Sequence, residues 1–246
     1  MRRIDYPRAP VTSAAMVIHG HGNSIMAGAS ASDTSMWWMA QMATMDPLAG
    51  KGITINNRGV GGQSIATERA GYEGLMMSVT APSAIDANLV AGKINVLICS
   101  EFVNELAANG YNGAAAHASW KTYCLARKAA AASAGRTLRI ITCTTQPFGS
   151  VSAPQATVDS RMAQLIIANN LMRQSYREYA DVLCDIAAHG AFGAMYGANV
   201  WTQAAFVAAG VYAPSNGSSI DYLHPGNSGH TIIARCAARA ITRVRR

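Results

Sequence analysis

At 246 residues, half of them apolar and only 13% charged, the chain suits one core-rich globular domain, 1–246. That composition excludes a disordered protein, and the length leaves no comfortable room for two domains. The net charge of +7 raises nucleic acid as a partner, yet much of it stands at the ends: Arg2, Arg3 and Arg8, then Arg235, Arg239, Arg243, Arg245 and Arg246. Arg235, Arg239 and Arg243 recur every four residues, which is one face of a helix. No aromatic residues interleave with them as a single-strand groove would require, so a solvated outer face is expected and nucleic acid is not.

The five cysteines (Cys99, Cys124, Cys143, Cys184, Cys236) lie in apolar or Ala-rich stretches and form no CxxC pair. They suit small buried hydrophobes better than a disulfide framework or a zinc site. The first residues, MRRIDYPRAPVTSAAMV, carry charge but then proline and polar residues where a signal-peptide core would be apolar. No run approaches the length of a membrane span. The expectation is a soluble protein without a classical export signal, working in the cytoplasm or released by lysis or a phage. Nothing in the sequence bears on its oligomeric state.

Along the chain, short apolar runs alternate with longer helical patterns, as in a parallel sheet covered by helices. Residues 15–19, 53–57, 95–100, 138–144 and 181–186 read as strands. All lack polar alternation, so burial on both faces is expected. Trp37 and Trp38 open the first helical pattern, with Met36, Met39, Met42 and Met45 at near-helical spacing as flexible core filling. A helix over 114–134 is stopped by Gly135. Over 155–180, Val158, Met162, Leu165, Ile166, Met172 and Tyr176 form one apolar stripe. The last helix, 228–244, buries Ile233, Cys236, Ala237, Ala240 and Ile241 opposite its arginines. Residues 187–220, with Phe192, Met195, Tyr196, Trp201, Phe206 and Tyr212, have no long regular period. They form either one wall of a substrate site or a few short helices covering the core.

Parallel sheets bind ligands at the carboxyl ends of their strands, so the strand exits carry the chemistry. The first exit is Gly20-His21-Gly22-Asn23-Ser24-Ile25, which exposes the Ser24 hydroxyl and backbone N–H; alone it is equally an ordinary turn. The second, Asn57-Arg58-Gly59-Val60-Gly61-Gly62, lacks dinucleotide-fingerprint spacing, and no lysine follows in phosphate-loop register. The third, Cys99-Ser100-Glu101-Phe102-Val103-Asn104-Glu105, brings the Asn104 amide to the same edge. Furthest along, Asp221 precedes His224 by three residues in a loop ahead of a helix. Its carboxylate can hold one ring nitrogen and leave the other free to take a proton. His19, His21 and His224 share no carboxylate at metal-ligand spacing, so no metal is expected.

Together these four elements resemble the SGNH, or GDSL-like, hydrolase family. The resemblance runs from Gly22 to His230 with the elements in the family's order. Asn23 stands where the family usually has Asp, Glu101-Phe102-Val103 replaces a glycine-containing approach, and Glu105 replaces Asp. The resemblance implies a three-layer α/β/α sandwich with a five-stranded parallel sheet in flavodoxin-like order. It also implies a serine esterase needing no cofactor, with Ser24, Asp221 and His224 catalytic and an oxyanion hole from Ser24, Gly62 and Asn104. Asn23, Glu101 and Trp201 are the candidate substrate contacts. The expected substrate is a small ester, above all an acetylated carbohydrate. The alternatives are a lipase or lysophospholipase, and a carbohydrate-binding relative without turnover.

Overall fold

The computed structural model describes residues 16–65, 85–100, 102–212 and 220–244. Its strands are β1 (Met16–Gly22), β2 (Thr54–Gly59), β3 (Ile94–Ser100), β4 (Thr137–Cys143) and β5 (Val182–Cys184). They form one parallel sheet in the order β2-β1-β3-β4-β5. The sheet is the expected one, with two differences at its edges. β2 is half-buried rather than enclosed on both faces, because an edge strand has a neighbour on one side only. β5 is shortened to three residues.

Alternate residues of the central strands enter opposite layers. On one face lie α2 (Phe102–Ala108), α3 (Gly113–Ser133) and α4 (Gln155–Ser175), which pack on one another. Trp120 of α3 donates from Nε1 to Thr142 Oγ1 of β4 at 2.8 Å, and Tyr123 Oη meets His21 Nδ1 of β1 at 2.8 Å. The opposite face carries α1 (Trp38–Thr44) and α7 (Asn227–Val244). Gly20 permits this packing, since a Cβ there would fall 2.6 Å from Met39 Cε.

The helices begin and end where local chemistry dictates. Asn112 caps α3 by accepting from Ala115 N at 3.0 Å, and Gly135 follows its last turn with φ +62. In α7, Ile233, Ala234, Ala237, Ala238, Ala240 and Ile241 are buried while Arg235, Arg239 and Arg243 are exposed. The 155–180 pattern ends as an α-helix at Ser175 and continues as one 3-10 turn, Tyr176–Glu178. Among the described residues no helix is long and apolar enough to cross a membrane.

Residues 187–212 hold two short helices, α5 (Gly190–Ala198) and α6 (Gln203–Ala209). Phe192 and Phe206 both stack on Tyr212, at centroid distances of 6.2 and 5.0 Å, and all three are buried in the core. Cys99, Cys124, Cys143 and Cys184 are buried free thiols, and Cys236 is half-buried.

Candidate active site

The strand order reverses between β1 and β3, and it is there that an open α/β sheet leaves a crevice at its carboxyl edge. Ser24 leaves β1 at that crevice, and Asn104 lies in the first turn of α2, just beyond β3. The segment after Ser24 is a series of turns rather than the start of a helix. Ala27 N donates to Asn23 O at 3.0 Å and Ala29 N to Ser24 O at 2.9 Å.

This turn is clamped from several sides. The Asn23 side chain accepts from Ile25 N at 2.9 Å, and Asn57 Nδ2 of β2 donates to Met26 O at 2.8 Å. Gly59 lets β2 touch the turn's backbone: a Cβ there would lie 2.3 Å from Ala27 N. His230, in the first turns of α7, donates from Nε2 to Ala29 O at 3.0 Å. Asn227 accepts from Ser32 N at 3.0 Å, a second tie between α7 and the same segment.

The Asp221–His224 loop is equally constrained. Asp221 Oδ1 accepts from Leu223 N at 2.9 Å and His224 N at 2.8 Å, while Oδ2 meets His224 Nδ1 at 2.5 Å. Between them Tyr222 holds φ +59, a left-handed conformation uncommon for a bulky residue. Two contacts hold it: Gly149 N donates to Tyr222 O at 2.7 Å, and the ring leans on Phe206 at 5.9 Å. Thus α6 lies under the loop, which gives the 187–212 region a part in supporting this site. Burial would raise the Asp221 pKa, but hydrogen bonds from the His224 ring and from the His224 and Leu223 amides outweigh it. The carboxyl is held below its usual range.

Ser24 Oγ lies 2.7 Å from His224 Nε2. An ionised Asp221 can only accept, so Nδ1 carries the ring proton and Nε2 presents a lone pair to the serine hydroxyl. The two residues meet across 200 positions of sequence.

The exits of β2 and β3 are stitched together. Asn104 Nδ2 donates to Gln63 O at 2.9 Å, and the amide carries a second N–H. The buried Glu105 accepts from Ile65 N at 2.8 Å and from Asn109 Nδ2 at 2.7 Å. Gly62, exposed with φ +77, sits in the loop so held.

Two expected substrate contacts are turned inward. Asn23 is 2% exposed and its Oδ1 is engaged by the turn it helps form, so it shapes the nucleophile segment from beneath. Trp201 is 4% exposed, stacks on Tyr196 at 5.4 Å and accepts from Gln155 Nε2 through its carbonyl, so its ring is packed into the core. Glu101 lies outside the described residues. His19 Nε2 meets Asn95 Oδ1 at 3.2 Å, and among the described residues no three His, Cys, Asp or Glu side chains gather as a metal site. The ties made by Asn57, Tyr222 and His230 were not foreseen. Only His230 carried a signal, as part of the run after His224.

No family model matches the sequence, and no curated protein matches it either. Solved structures do match. The fold is similar to that of Est24, a carbohydrate acetylesterase from Sinorhizobium meliloti, at TM-score 0.62 and 9% identity over 93% of this chain and 99% of that one. It is also similar to a variant of Axe2, an acetyl-xylooligosaccharide esterase from Geobacillus, at TM-score 0.56 and 16% identity over 94% and 95%. A protein described as a GDSL-like lipase from Parabacteroides merdae matches at TM-score 0.55 and 16% identity over 96% and 100%. The α/β architecture of this chain is therefore the fold shared by these acetylesterases and the GDSL-like lipase.

Proposed function

We propose that the chain is a serine esterase that removes short acyl groups, above all acetyl, from a carbohydrate. The observation that carries this is the continuous hydrogen-bonded line from Ser24 Oγ through His224 to Asp221. In the reaction, His224 Nε2 takes the Ser24 proton as Oγ attacks the ester carbonyl. Asp221 stabilises the imidazolium that forms and keeps its own charge. The tetrahedral oxygen takes hydrogen bonds from the N–H groups of Ser24 and Gly62 and from the free N–H of Asn104. Each such donor is worth about 3–4 kcal/mol of barrier. Collapse returns the proton to the leaving alkoxide and leaves an acyl-serine. Water then attacks with His224 as base, and the acid departs.

Every step uses groups of this chain and water, and the names of two proteins that share its fold, a carbohydrate acetylesterase and an acetyl-xylooligosaccharide esterase, support acetyl as the acyl group. The test is hydrolysis of p-nitrophenyl acetate by the purified protein and its Ser24→Ala variant. Turnover is expected in the first and a loss of about three decades or more in the second, with an unchanged circular dichroism spectrum. Equal turnover in both would remove Ser24 from the mechanism. Comparing acetylated xylan with p-nitrophenyl esters of lengthening acyl chain then separates a carbohydrate deacetylase from a lipase.

A further inference from the structure

The site does not use the cationic face of α7. Arg235, Arg239 and Arg243 are all exposed, and with a rise of about 1.5 Å per residue they stand about 6 Å apart in one line. The acidic partners of the ion pairs among the described residues go elsewhere, to Lys121, Arg127, Lys128, Arg139, Arg173 and His224. α7 contains no Asp or Glu, and α1, packed beside it, contains no charged residue at all. Neither helix therefore brings a carboxylate to offset the stripe, and Asp185, the acidic residue after β5 nearest to it, is paired with Arg173.

The helix that carries the stripe also reaches the active site. α7 begins three residues after His224, and its first turns hold the Ser24 segment through Asn227 and His230. Arg235 follows Asn227 by eight residues, or about 12 Å along the axis. A polymer lying on the three arginines thus leads toward the helix end that carries the catalytic loop.

We infer that this stripe binds the carboxylates of an acidic polysaccharide and delivers its acetylated residues to Ser24, which rests on the esterase function proposed above. Arginine suits the task because its planar fork pairs with a carboxylate through two parallel hydrogen bonds. A single-stranded nucleic acid fits less well. α7 has no Phe, Tyr or Trp, and the tryptophan of α1, Trp38, is fully buried, so no ring on either helix offers a stacking platform.

The experiment compares the wild-type protein with the R235E/R239E/R243E variant, and with its R235Q/R239Q/R243Q counterpart should the charge reversal fold poorly. KM is measured on acetylated polygalacturonate, on neutral acetylated xylan and on p-nitrophenyl acetate. Removing three cationic contacts should raise KM on the polyuronate about tenfold, in line with the salt sensitivity of such contacts. Turnover of xylan and of the nitrophenyl ester should stay unchanged. Equal KM of both proteins on the polyuronate would overturn the inference, as would tighter binding of single-stranded DNA than of polygalacturonate at the same salt. Unacetylated polygalacturonate is also titrated directly, at 50 and 200 mM NaCl. Stripe-dependent, salt-sensitive binding there would uphold the stripe even if the wild type failed to hydrolyse any ester, an outcome that would sink the esterase function alone.

Discussion

The side-chain amide of Asn104 donates to the main-chain carbonyl of Gln63 across 2.9 Å, joining the first turn of α2 to the loop that leaves β2. Glu105, the next residue, binds Ile65 N of the same loop at 2.8 Å. Two adjacent residues of one helix thus fix the loop carrying Gly62, and among the described residues one N–H of Asn104 is left over. The third block departs from the family pattern most in sequence, yet it supplies this joint.

That joint gives the first prediction. Asn104→Ala should lower kcat on p-nitrophenyl acetate about a hundredfold while changing KM little, because an oxyanion donor acts in the transition state. Steady-state kinetics decide it, and a rise in KM at constant kcat would contradict the assigned role.

A second prediction concerns pH. His230 donates from Nε2 to Ala29 O, which fixes its neutral tautomer, and its buried Nδ1 has no hydrogen-bond partner among the described residues. Burial is the main cause that lowers its pKa, and the repulsion of His224 adds to it. A histidine with a depressed folded pKa contributes stability that is present above the unfolded value, about 6.5. That stability is lost as pH falls from there through the folded value. Melting temperature should therefore drop between pH 7.5 and pH 5. The drop should be smaller in His230→Gln, though not absent, because burial also lowers the pKa values of His19 and His117. Identical drops in both proteins, read by differential scanning fluorimetry, would rule out this account of His230.

Gly59 supplies the third. A Cβ at this position would meet Ala27 N at 2.3 Å and Met26 C at 2.6 Å, both backbone atoms that cannot swing aside. Gly59→Ala should cost about 1–3 kcal/mol of stability by overpacking. It should also reduce kcat/KM on p-nitrophenyl acetate by about tenfold or more, since displaced reacting groups lose rate steeply. Gly190→Ala, where nothing lies within 4 Å, is the control: it should leave the rate unchanged and cost no stability. Urea titration and initial rates measure the two effects, and a fully active Gly59→Ala would show that β2 does not position the nucleophile.

Much of the fold was legible because its causes are local. The run Leu97-Ile98-Cys99 is apolar throughout since β3 has a strand on each side and helices on both faces. β1 extends to Gly22, beyond the apolar run, for a reason the run could not reveal. Gly20 and Gly22 pair in register with Ile98 and Ser100, and the lack of a Cβ at Gly20 admits Met39. The burial of Trp201 was not legible, because an aromatic residue in a Gly-rich connection suits a sugar-binding wall and a core equally. Only its packing on Tyr196 tells them apart.

The sequence by itself determined the strand and helix pattern, the arginine face of α7 and the three-residue Asp221–His224 spacing, each a matter of neighbours within a few turns of chain. It also supplied Ser24 and Asn104 at strand exits. Whether those exits face one another depends on strand order and on which helix covers which face, and these are decided by non-local packing. Only the tertiary structure brought His224 Nε2 to 2.7 Å from Ser24, tied the Ser24 turn to His230 and turned Asn23 and Trp201 inward. The physical reason is that burial and hydrogen-bond satisfaction are properties of the assembled layers, and no local pattern encodes them.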